Sequence, residues 1–153
     1  MINNNFKKAI KIVHQLLKDN NIKWALIGST NLALQGMNIN PNDLDIIVKM
    51  DDLKLITKIF SEYNSSEARE IKSMTSEPIW EIKAKIDNIE VHIISEKETG
   101  EYLRKFLLNN MIEIKLDNIN IPCFTLEAEA KAYSETNREN KSQIIKEFLK
   151  GSS

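Results

Sequence analysis

The chain has 153 residues, 42% of them hydrophobic and 28% charged, enough apolar material for one packed core and too much for a disordered chain, a collagen-like repeat or a coiled coil. Lysine and arginine number 21 against 22 aspartates and glutamates, a formal net charge of −1, which argues against a strongly basic nucleic-acid glove. No apolar run approaches the roughly 18 residues of a membrane span, no signal-peptide core follows Lys7 and Lys8, and Cys123 is the only cysteine, so the expectation is a reducing, cytoplasmic setting without a membrane partner.

Phe6, Ile10, Val13 and Leu17 recur on one helical face and predict a helix over about Asn5 to Lys18. Ile22 to Ile27 reads as a short strand stopped by Gly28-Ser29. A short helix is expected from about Thr30 to Gln35, with Ser29 or Thr30 as its N-cap. Gly36 to Asn42 is a loop and Asp43 to Val48 the next strand. Asp51 or Asp52 should cap a helix whose Leu53, Ile56 and Phe60 share a face. Tyr63 to Ser76 is polar, with a short edge strand near Ala68 to Ile71.

Ile79 to Ile86 alternates apolar and charged, and Ile89 to Ile94 returns after Asp87-Asn88, the clearest hairpin in the chain. A helix over about Lys97 to Leu108, short strands at Met111 to Leu116 and Ile119 to Pro122, and helices over about Leu126 to Glu135 and Glu139 to Leu149 complete the order. This predicts an α/β (α+β) domain with a mixed sheet flanked by helices. It would span residues 1–150, with Gly151-Ser152-Ser153 read as a tag remnant.

The chemistry lies in two short stretches. Asp43 and Asp45, two apart at the head of an apolar strand, point to one face. Two such carboxylates repel unless a cation lies between them, and hard oxygen ligands suit Mg²⁺. Gly28-Ser29 ends one strand and opens a helix, where backbone N–H groups and the helix dipole favour an anion. A triphosphate held there could share Mg²⁺ with the two aspartates. Either feature alone is common; an Asp-x-Asp is often only a solvated pair, and Gly-Ser after a strand is usually a turn.

Gly28-Ser29, thirteen residues, then Asp43-Leu44-Asp45-Ile46 resembles the signature of the nucleotidyltransferase superfamily, the polymerase-β-like fold. The layout is similar to its small members: stand-alone bacterial and archaeal nucleotidyltransferases, lincosamide and aminoglycoside nucleotidyltransferases, and abortive-infection-type toxins. The resemblance implies Asp43 and Asp45 as Mg²⁺ ligands and Gly28 and Ser29 as phosphate-binding residues. It implies transfer of a nucleoside monophosphate from an NTP, ATP first among them, to an acceptor hydroxyl on a small molecule, a protein or an RNA. The acceptor would be held partly by the last helices or by a second subunit, as in a homodimer.

The family's third acid falls at His92, with Glu90 two residues earlier on the same face. Three readings stand: His92 replaces the acid as ligand or base, Glu90 supplies it, or the site binds nucleotide or a protein partner without turnover. A lysine common in relatives is Tyr133 here, and an aspartate is Ser142, while Arg138 and Lys141 match the family's pattern and either reach a phosphate or form a solvated surface. Lys83 and Lys85 could line a phosphate or RNA groove or form a solvated edge. Trp24, Trp80 and Cys123 read as core, and His14 as structural.

Overall fold

The computed structural model describes residues 2–71, 79–96 and 110–151. The first helix, α1 (Asn4–Asp19), is capped by Asn3, whose side chain accepts the Phe6 N–H at 3.0 Å. The predicted stripe of Phe6, Ile10, Val13 and Leu17 is buried, joined by Ala9. Strand β1 (Trp24–Ile27) starts two residues later than expected because the Ile22 N–H closes the end of α1 on Leu17 O. All four β1 residues are buried, as in a strand covered on both faces.

Helix α2 (Gly28–Leu34) begins directly at Gly28, not at Thr30. Neither Ser29 nor Thr30 caps it; the Thr30 hydroxyl instead donates to Asp43 O at 2.6 Å and pins the helix to the next strand. That strand, β2, runs Leu44–Val48, so Asp43 sits just ahead of it. A 3₁₀ turn over Met50–Asp52 leads into α3 (Leu53–Ile59). Asp52 holds the N-cap position as expected, but with helical dihedrals and without a side-chain cap hydrogen bond. Leu53, Ile56 and Phe60 are buried together, as their spacing requires.

Strand β3 (Arg69–Ile71) lies at one edge of the sheet beside the hairpin of β4 (Ile79–Ile86) and β5 (Ile89–Glu96), in which Ile86 faces Ile89. A second hairpin pairs β6 (Met111–Leu116) with β7 (Ile119–Phe124). Each turn is Asp-Asn, with φ of 53° at Asp87 and 54° at Asp117, the left-handed region that Asp tolerates. Strand β7 continues past Pro122 because Cys123 pairs with Leu26 of β1. Thr125 caps α4 (Leu126–Glu135), accepting the Ala128 N–H at 3.1 Å, and α5 (Glu139–Gly151) follows. The helix expected at Lys97 to Leu108 lies outside the described residues.

The seven strands form one mixed sheet in the order β3-β4-β5-β2-β1-β7-β6. Strand β2 runs antiparallel to β1 and parallel to β5. Helices α1 and α3 cover one face, burying Leu26, Leu44, Ile46, Val91, Ile93, Ile82 and Cys123. Each fully buried aliphatic side chain there contributes about 1.5–3 kcal/mol. The other face packs Ala25, Ile27, Ile47 and Phe124 against α4, and α4 joins α2 and α5 through Leu32, Leu126, Tyr133 and Ile145. Among the described residues no helix is long and apolar enough to cross a membrane.

Candidate active site

The α4 face of the sheet is where the polar residues of the central strands emerge. Alternation sends Leu44 and Ile46 into the α1 side and leaves Asp45 facing the other way. The parallel register of β2 and β5 places His92 directly beside Asp45. Its Nδ1 lies 3.3 Å from Asp45 Oδ1 and 3.7 Å from Asp43 Oδ2. One ligand atom from each of Asp43, Asp45 and His92 fits within 4.8 Å of the others.

Charge is concentrated at this point. Partial burial raises the Asp43 pKa, with the negative charge of Asp45 adding to it and His92 and Lys141 opposing it. The short-range attraction of Asp45 raises the His92 pKa against the effect of burial, aided by the charges of Asp45, Asp43 and Glu81. The 3.3 Å approach is an ion-pair distance, and among the described residues neither Asp45 Oδ1 nor His92 Nε2 has a hydrogen-bond partner. Buried polar atoms are seldom left this way. Two carboxylates, an imidazole and an orphaned oxygen between them fit a divalent cation, with the nitrogen a softer donor than Mg²⁺ prefers.

Gly28 touches the cluster. A Cβ there would lie 2.8 Å from Asp45 Oδ2, and its φ of +72° is one that glycine adopts freely. The close approach that this glycine permits is therefore to a carboxylate of the site. Its N–H is already in use, donating to Glu129 Oε2 at 2.7 Å. Ser29, the next residue of α2, is partly exposed.

Glu129 escaped the sequence reading. It is fully buried on α4, and the same Oε2 also accepts from Asn31 Nδ2 at 2.9 Å. Asn31 in turn donates to Phe124 O, and Gln35 Nε2 bonds both Asn31 Oδ1 and Phe124 O. Burial pushes the Glu129 carboxyl up to about 8, against the pull of the Asn31 and Gly28 bonds. A signal existed: Leu126, Ala130 and Tyr133 form the apolar stripe of α4, and Glu129 falls within it at i+3.

Tyr133 lies flat beneath two cations. Arg138 Cζ is 4.5 Å and Lys141 Nζ 5.5 Å from its ring centroid. The Tyr133 hydroxyl is held well above its ordinary pKa, first by burial and then by the charges of Glu129, Asp45 and Asp43. Arg138 and Lys141 thus stand at the border of the acidic site. Glu90 is more remote, mostly exposed, with its carboxylate 4.0 Å from His92 Nε2. Lys83 is in register with His92 on β4, its Nζ 4.0 Å from the nearly buried Glu81. Trp24 is buried in the core and Trp80 packs partly buried against it. Cys123 is buried, with its thiol pushed up to about 12 by desolvation.

A family model described as aminoglycoside-2''-adenylyltransferase matches residues 9–147. No curated protein sequence matches the chain. Among solved structures, a Thermotoga maritima protein, TM1012, assigned as a nucleotidyltransferase, is similar with a TM-score of 0.75 at 22% identity, over 99% of this chain and 96% of that one. ANT(2'')-Ia, solved with adenylyl-2''-tobramycin, is similar with a TM-score of 0.54 at 10% identity, over 95% of this chain and 98% of that one. At these identities the likeness is one of fold, and the fold is that of the nucleotidyltransferases.

Proposed function

Since this chain belongs to the aminoglycoside-2''-adenylyltransferase family, we propose that it transfers a nucleoside monophosphate from an NTP, ATP in the first instance, to an acceptor hydroxyl with Mg²⁺ as cofactor. The observation that carries this reading is the convergence of Asp43, Asp45 and His92 around an unpartnered carboxylate oxygen beside Gly28. Asp43 and Asp45 would hold the cation, which when bound supplies charge neutralisation at the phosphates.

The remaining roles fall to the chain itself. Gly28 keeps the turn against Asp45, and because its N–H serves Glu129, phosphate contact falls to the Ser29 hydroxyl. Arg138 and Lys141, laid on Tyr133, balance the charge of the outer phosphates. The acceptor oxygen bonds to the α-phosphorus, and the bond from that phosphorus to the bridging oxygen breaks. Pyrophosphate departs with the electron pair. His92, whose Nδ1 lies near both carboxylates, would take the hydroxyl proton or complete the ligand set. Glu90 at the rim would take that place only by turning inward.

The family model makes an aminoglycoside hydroxyl the first acceptor to test, with an RNA end and a protein side chain after it. One observation favours a second reading, a silent module that binds nucleotide or a protein partner: an imidazole stands where the resemblance expects an acid. Calorimetry with the four NTPs, with and without Mg²⁺, separates the two when joined to transfer of labelled NMP to aminoglycosides, total RNA and cell extract. Metal-dependent binding and transfer, both lost in Asp43→Asn/Asp45→Asn, is the expected result. Binding without transfer would favour the silent module, and neither would overturn both the transferase reading and the nucleotide-binding form of the silent module.

A further inference from the structure

Strand β6 closes the sheet opposite β3, and among the described residues no strand pairs with its outer edge. In a two-residue hairpin the residues flanking the turn, here Leu116 and Ile119, form a hydrogen-bonded pair. Leu116, Ile114 and Ile112 therefore turn their backbone groups toward β7, and Lys115, Glu113 and Met111 turn theirs outward. The edge strand has no proline and carries Met111 and Ile112, two of the four exposed large hydrophobics among the described residues. Edges of this kind are usually blunted against a second chain. The two charges on β6 have opposite sign and lie two apart, so they discriminate between registers.

We propose that β6 is a dimerisation edge, paired antiparallel with β6 of a second copy of this chain about a two-fold axis at Ile114. In that register Glu113 faces Lys115 of the second copy and Lys115 faces its Glu113. Ile112 faces Leu116 and Ile114 faces Ile114, all on one side of the sheet. Outward groups meet outward groups, so the ladder bonds are satisfied. A one-residue slip breaks that match. A two-residue slip either way sets Glu113 against Glu113 or Lys115 against Lys115. Charge thus selects one register, and two seven-stranded sheets become a single sheet of fourteen. The inference stands apart from the catalytic reading, because β1 and β7 separate β6 from β2.

Sedimentation velocity over a concentration series tests it, with far-UV circular dichroism and thermal melts confirming that each variant is folded. The wild type is expected to dimerise with concentration. Glu113→Lys and Lys115→Glu, each creating two like-charge pairs, should weaken the dimer by about tenfold or more, and the double swap should restore it. A wild type that stays monomeric at about 1 mM, including one whose edge is taken by some other protein, overturns the proposal. So does a dimer indifferent to the single reversals, or one that the double swap fails to rescue.

Discussion

Two acid clusters meet at Gly28 and are built on opposite plans. Asp43, Asp45 and His92 crowd charge together and leave Asp45 Oδ1 and His92 Nε2 without hydrogen bonds. Glu129, on the other side, is more deeply buried yet its Oε2 is doubly bonded, to the Gly28 N–H and the Asn31 amide. Unsatisfied polar atoms are costly, and a fold keeps them where something else completes them; satisfied ones hold a backbone in place. Gly28 belongs to both, its Cα against Asp45 and its N–H against Glu129. On the proposed reading the first cluster binds the cation and the second braces it.

The largest test removes the first cluster's charge. Asp43→Asn/Asp45→Asn should lower transfer by about 10³-fold or more. Thermal stability should hold or rise, because two like charges are relieved. A parallel loss of stability would mean these aspartates brace the fold as Glu129 does.

Glu129→Ala should do the reverse, destabilising by about 2–4 kcal/mol because a buried amide N–H and the Asn31 side chain lose their acceptor. The pH dependence has a definite sign. The Glu129 carboxyl is held at about 8 when folded and near its ordinary value of 4.5 when unfolded, so between these limits the folded state binds the extra proton. Stability attributable to Glu129 is therefore full below the lower value and declines as pH rises toward the upper one, by roughly a few kcal/mol. Urea melts from pH 5 to pH 8 should show this slope in the wild type and a flatter one in Glu129→Gln.

Gly28→Ala strikes both clusters. The new Cβ would meet Asp45 Oδ2 at 2.8 Å on a backbone at φ +72°. The expected outcome is a stability loss of about 1–3 kcal/mol together with a fall in transfer beyond what the lost stability explains. An unchanged kcat would show that Asp45 tolerates displacement. The smallest effect belongs to Tyr133→Leu, which keeps an apolar residue but removes the platform under Arg138 and Lys141. Cation–π contacts of about 0.5–1 kcal/mol predict a KM for NTP raised about three- to fivefold with kcat little altered. Steady-state kinetics at fixed Mg²⁺ would read that split.

Much of this was legible beforehand because it depends on local periodicity. The α1 stripe, the Asp87-Asn88 hairpin and the Asp43-Leu44-Asp45 alternation are short-range patterns, and each lies where its spacing placed it. The readings that needed correction concern ends of elements. Ser29 or Thr30 is the expected cap of α2, and Thr30 instead reaches Asp43 O; Asp52 holds the N-cap position of α3 but makes no side-chain cap bond there. For Thr30 a neighbouring strand competes for the hydroxyl, which nearest-neighbour spacing does not contain.

The amino-acid sequence by itself determined the order of elements, the apolar faces of the helices and strands, and the candidate pairing of Gly28-Ser29 with Asp43 and Asp45. These follow from side-chain alternation and turn chemistry within a few residues. Only the tertiary structure decided that His92 stands beside Asp45, through the parallel register of β2 and β5, and that Glu129, 101 residues away, holds the Gly28 N–H. The first is a contact between neighbouring strands and the second one between α4 and the start of α2. Strand order and helix docking create them, and their energy comes from burial shared over the whole core.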